Sequence, residues 1–226
     1  METWLTYSPQ DFLLFSAETY WRLFALANQS VWPLAAVAPL LLLGLCLALL
    51  SGAGRSGVAA ILALGAGWVV VAEIFLARYY APINMIAAYA RPVFWVEAVL
   101  LVMFGLRLSF VADGLRRVAG TIFVLLAAAY PALGVVAGRP LNAAEVVGIA
   151  PDPTAVATLG LLLLARPSWR VGLLAIVPAG WLLVSAATLL TMGSATGWLA
   201  LGAAIVATTV MSASAVWPNG SKETPR

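Results

Sequence analysis

Five polar side chains stand where an apolar chain has least reason to carry them: Glu73, Asn84, Arg91, Glu97 and Asp152. A carboxylate and a guanidinium can hold one another or a charged solute, and a lone carboxyl inside an apolar span can hold a proton or a cation. An aspartate bracketed by two prolines, as in G-I-A-P-D-P-T from Gly148 to Thr154, marks a break in a helix. What the chain lacks narrows the chemistry further. It has no histidine and a single cysteine, Cys46, and its one lysine, Lys222, lies near the end of the sequence. Intrachain disulfides are excluded, and no imidazole is present for metal, haem or proton relay. No cofactor, no metal and no enzymatic activity are expected. The usual general base is missing, and Asp152 and Glu97 fall at different depths, too far apart to assume a carboxylate dyad.

The elements that must position these residues follow from hydropathy. Of 226 residues, 63% are hydrophobic and 9% charged, with a mean hydropathy of +1.01. That balance predicts an all-α, polytopic transmembrane bundle. Seven apolar segments are predicted, roughly 33 to 50, 58 to 78, 85 to 106, 118 to 137, 146 to 165, 171 to 190 and 197 to 216, the fifth broken at Pro151-Asp152-Pro153. Its unbroken part, Thr154 to Ala165, is about 18 Å long against a hydrocarbon core of about 30 Å, so it starts below the membrane surface. Arg22, Arg78, Arg91 and Arg139 fall on one side. Arg55, Arg107, Arg116, Arg117, Arg166, Arg170, Lys222 and Arg226 fall on the other, which places the N-terminus outside and the C-terminus in the cytoplasm. Trp32, Trp169, Trp198 and Trp217 mark span ends. The net charge of +3 thus reports orientation and gives no reason to expect nucleic acid.

One integral membrane domain, 1–226, is expected: an amphipathic helix over 8–30, the bundle over 33–216 and a polar cytoplasmic tail over 217–226. Ser8-Pro9-Gln10-Asp11 reads as a capped helix start, and Glu2, Asp11 and Glu18 argue against a cleaved leader. Asp11, Glu18, Arg22 and Gln29 make one polar stripe, as on a helix at the interface or one docked on the bundle; a surface helix with no ligand is the simpler alternative. Gly134 and Gly138, a G-x-x-x-G pair, predict close helix packing.

Depth counting brings some of the polar residues together. A hairpin centred on Pro82 sets Glu73 and Arg91 at equal depth, as a structural bridge or as part of a site. Glu97 falls opposite Gly67, without a partner, and is expected to carry its proton at neutral pH; it serves either a helix–helix hydrogen bond or a transport path. Trp68 and Trp95 share that depth, as packed core or as one wall of a cavity. The same topology puts Asn84, Arg139, Asn142, Glu145 and Asp152 on the outer side, where they can share a vestibule. Asp152 followed by Pro153 reads as an N-cap with proline at the first helical position; the alternative is a binding site at a broken helix.

The segments D-F-L-L-F-S from Asp11, Y-W-R-L-F from Tyr20, W-P at Trp32 and I-N at Ile83, with A-E-V-V-G-I-A-P-D-P-T from Ala144 and T-L-L-T-M-G from Thr188, run nearly end to end. Jointly they resemble the bacterial membrane proteins grouped as domain-of-unknown-function family 6064. The resemblance implies a polytopic protein of the bacterial cytoplasmic (inner) membrane and brings no activity with it. Some members resemble this chain but carry a cysteine at the position of Asp152 and a histidine near the end of the second span, so no metal role carries over. Two functions remain. One is small-solute or ion binding or transport through an outward-facing polar site of Glu73, Asn84, Arg91 and Asp152, with Glu97 as an intramembrane carboxyl. The other is a non-catalytic accessory or assembly subunit, whose partners are the lipid bilayer and other membrane subunits or further copies of the chain.

Overall fold

The computed structural model describes residues 15–52, 55–110 and 114–216. They form eight α-helices, with a single 3-10 turn at Leu141–Ala143, and no strand beyond an isolated bridge between Val147 and Ala150. Helix α1 (Ala17–Ser30) is capped by Ser16, whose hydroxyl accepts from the Thr19 amide at 3.1 Å. Ser16 itself is extended, so the helix seen here starts there; the expected start at Ser8 and the tail over 217–226 lie outside the described residues. A bend of 85° separates α1 from α2 (Leu34–Leu50). Helix α3 (Ser56–Val70) continues as π-helical turns over Val71–Tyr80, and α4 (Met85–Leu100) as π-helical turns over Leu101–Gly105. Then come α5 (Gly114–Val136), α6 (Pro151–Leu163), α7 (Trp169–Thr191) and α8 (Thr196–Val216).

Five of the described helical stretches are long and apolar enough to cross a membrane, six if α1 and α2 count as one bent span. Two of the seven expected spans fall short: α2 has 17 residues and α6 has 13. Trp32, Trp169 and Trp198 stand exposed at helix ends as expected; Trp217 lies outside the described residues.

Helix α6 is the axis of the molecule. All of its residues are buried, because it is apolar on every side and α3, α5, α7 and α8 pack around it. Its polar exceptions are satisfied locally: Thr158 donates to the Thr154 carbonyl at 2.8 Å and accepts from Trp68 Nε1 at 2.9 Å. The buried Arg116 closes the far end, its Nη2 donating to the carbonyls of Leu162 and Ala165, each at 3.0 Å. A cation there also complements the negative end of the helix dipole.

The glycines that permit close packing are not the expected pair. A Cβ on Gly120 would lie 2.8 Å from the Gly160 carbonyl, and one on Gly160 would lie 3.0 Å from the Val124 amide. Helices α5 and α6 therefore cross backbone to backbone. Gly138 instead ends α5 with φ +83°, a turn conformation that glycine adopts without a Cβ penalty. At Gly134 the atoms nearest to an added Cβ belong to the Arg139 guanidinium, 3.4 Å away, for which the glycine leaves room.

Candidate functional site

The loop entering α6 builds a buried polar centre. After the Gly138 turn, Arg139 Nη1 donates to Glu145 Oε2 at 2.9 Å, with both side chains nearly out of solvent, and the guanidinium stacks on the Trp21 ring at 3.9 Å. Helix α1 pins this loop: the side-chain amide of Asn28 donates to the carbonyls of Asn142 at 3.0 Å and Ala144 at 2.8 Å. Gly148, at φ +79°, passes against Gly67 of α3, where a Cβ on Gly67 would come within 3.0 Å of the Gly148 Cα. Thr154 then stitches loop to helix, its hydroxyl accepting from the Gly148 amide at 2.7 Å and donating to the Ala150 carbonyl.

Asp152 is not the helix cap. The helix begins at Pro151, two residues earlier than a cap at Asp152 requires, and Ala150 occupies the cap position without a side-chain bond. The physical reason lies in the prolines: Pro151 and Pro153 have no N–H, so part of the donor set that a cap must satisfy does not exist. The carboxylate is left free to turn to α7. Its Oδ1 accepts from Trp181 Nε1 at 2.8 Å and its Oδ2 from Ser185 Oγ at 2.6 Å, and the residue is 1% exposed.

Three buried tyrosines, Tyr20, Tyr80 and Tyr130, lie within electrostatic reach of Asp152, as do Glu145 and Arg139. The cluster holds two carboxylates and one guanidinium, so the centre is one negative charge in excess when both are ionised. A buried excess charge is costly unless a proton or a cation balances it. Donor capacity also remains, since Arg139 Nε and Nη2 and the Tyr130 hydroxyl have no hydrogen-bond partner among the described residues. Beside the centre, a cavity of about 50 Å³ is lined by Tyr20, Tyr80, Asn84, Trp181, Ser185 and Thr188 among others. That is room for one small solute or a water or two. Among the described residues no three His, Cys, Asp or Glu side chains cluster so as to hold a metal.

The five residues singled out from the sequence do not converge. Glu73 and Arg91 make the bridge that equal depth predicts, in bidentate form: Nε to Oε1 and Nη2 to Oε2, both at 2.9 Å, with Trp95 Nε1 adding a bond to Oε1 at 2.7 Å. The bridge faces outward, however, with the side chains 49% (Arg91) and 36% (Glu73) exposed. Ala72, Phe75 and Leu76 take the inward face of the π-helical turns and leave Glu73 to the other side. No described contact joins the pair to Asp152. Asn84 does reach the cavity and donates to the Tyr80 hydroxyl at 2.9 Å. Glu97 is fully buried, and neither of its oxygens is hydrogen-bonded to a described residue. Trp68 and Trp95 do not share a wall, Trp68 being fully buried on Thr158 and Trp95 41% exposed on Glu73. The residues that sequence reasoning missed are Trp181 and Ser185; their i,i+4 spacing in an apolar span was the available signal.

Fold and centre together define an all-helical protein, rich in apolar helices of membrane-crossing length, that encloses a charged cluster around a short central helix. Residues 17–221 match the Family of unknown function (DUF6064), and the chain belongs to that family. No curated protein and no solved structure matches it.

Proposed function

We propose that the protein is a non-enzymatic integral protein of the bacterial cytoplasmic membrane, N-terminus outside, that binds a small cationic solute at the Asp152 centre and carries it through the bilayer. The observation that supports this reading most is the buried Asp152 carboxylate, bonded to the same Trp181 and Ser185 that line the cavity. Three aromatic side chains in that lining, Tyr20, Tyr80 and Trp181, suit a cation, which ring faces attract, and a cation would balance the excess charge that arises when both carboxylates are ionised. Asn84 and Thr188 also line the cavity. About seven crossings are consistent with this role if the short α2 and α6 reach the membrane surfaces through their flanking loops.

The test is binding by the purified chain. Thermal unfolding in mild detergent with sodium, potassium, ammonium or methylammonium chloride should show a rise in Tm for one of these cations over an equal concentration of choline chloride. Asp152→Asn should abolish that rise while still folding. An equal rise in the variant, or none in the parent with any of the four, removes the reading.

A second reading is favoured by the Glu73–Arg91–Trp95 cluster, a polar patch on an otherwise apolar outward face. It makes the protein an accessory or assembly subunit docking through α3 and α4. Native purification that yields a partner chain lost on Arg91→Ala supports this reading; a lone chain in both preparations counts against it.

A further inference from the structure

The elbow between α1 and α2 encloses a groove of about 920 Å³ that the cation site does not use. Its two halves differ in chemistry. Arg22 and Gln29 of α1 form one edge, with Trp32, 70% exposed, at the corner. The floor is apolar, made by Ala36 and Pro39 of α2 and Pro131 of α5. Arg22 is exposed and makes no ion pair or hydrogen bond with any described residue, and among the described residues no acidic side chain lines the groove. If α2 runs across the bilayer, the 85° bend lays α1 along the membrane plane. Arg22, Gln29 and Trp32 then sit at headgroup level, where amphipathic aromatics and guanidinium groups are most stable. The floor descends from them along α2, in the direction an acyl chain takes.

We infer that this groove is a phospholipid site, with the lipid phosphate held by Arg22 and Gln29 and an acyl chain laid over Ala36, Pro39 and Pro131. Guanidinium matches phosphate in charge and in its fork of N–H donors. Arg22 is the one charged side chain among the described residues lining the groove, and Glu18, one turn away on α1, is not paired with it, so the groove favours an anionic lipid over a zwitterionic one. A bound lipid also fills the angle between α1 and α2, steadying the helix whose Asn28 holds the loop before α6.

The full-length protein, purified in mild detergent and mixed with phosphatidylglycerol or phosphatidylcholine, can be read by native mass spectrometry. One phosphatidylglycerol per chain should survive gas-phase activation that strips phosphatidylcholine. Arg22→Gln should weaken its retention about tenfold, the loss of one charge-assisted contact. Ala36→Trp, at an exposed position, should fold and block both lipids. Inorganic phosphate at millimolar concentration should not displace the lipid, because it lacks the chain. No retained lipid in the parent, or retention undiminished in Ala36→Trp, overturns the site. Retention undiminished in Arg22→Gln overturns the headgroup assignment. Cation binding at Asp152 should be unchanged in both variants, which keeps the two proposals separable.

Discussion

At the scale of single residues, Asp152 is held by donors and therefore responds differently to two substitutions. Asparagine keeps one acceptor for Trp181 and a donor that Ser185 can accept, so the local network survives without the charge. Alanine orphans the Trp181 N–H and the Ser185 hydroxyl, each costing about 1–3 kcal/mol where it stays buried. Thermal unfolding should rank the parent and Asp152→Asn close together and Asp152→Ala well below; equal losses would show that the hydrogen bonds do not hold Asp152. Arg139 and Glu145 make a second residue-scale case. Removing one partner of a buried pair strands the other, at about 3–5 kcal/mol, while replacing both can be nearly neutral. Arg139→Met and Glu145→Gln should each lower Tm more than the double variant does. Additive losses would mean that the two charges do not depend on each other. The Glu73–Arg91 bridge was legible in advance because a tight hairpin converts sequence distance from its turn into depth. Which way the pair faces was not, since that depends on the π-helical turns that rotate Glu73 away from the core.

At the scale of elements, the crossing of α5 on α6 is the tightest constraint. Gly120→Ala and Gly160→Ala each drive a methyl into backbone atoms at about 3 Å, which no rotamer change relieves. Gly180→Ala, with nothing within 4 Å of the added carbon, serves as the control. The first two should lower Tm, by about 1–3 kcal/mol of stability each, and the third should leave it unchanged or raise it through helix propensity. A normal Tm for Gly120→Ala would rule out the close crossing. Spacing alone pointed to Gly134 and Gly138, because a G-x-x-x-G pattern does not reveal whether another helix lies against it. The break before α6 was legible from Pro151 and Pro153. Its register was not, since two prolines in a first turn remove part of the need for a capping side chain, and only the position of α7 shows what the aspartate does instead.

At the scale of the whole molecule, orientation is the open quantity that the proposed function needs. With Cys46 replaced by Ala, a cysteine at exposed Leu141 should be labelled by an impermeant maleimide on intact cells. One at exposed Ser168 should be labelled only after permeabilisation. The reverse pattern would put the Asp152 cavity and the Arg22 groove on the cytoplasmic side and invert the transport reading.

By itself the sequence determined the helical class, most of the long apolar helices, the break at Pro151 and the pairing of Glu73 with Arg91. These depend on apolar runs, proline stereochemistry and the reach of one hairpin, all of which act over a few tens of residues. Only the tertiary structure decided that Glu73 and Arg91 face outward, and that Asp152 meets Trp181 and Ser185 beside the Arg139–Glu145 pair. Those contacts join α6 to α7 and α1 to the loop before α6, and a polar atom's partner across such distances is set by how the helices rotate and pack, which no local pattern encodes.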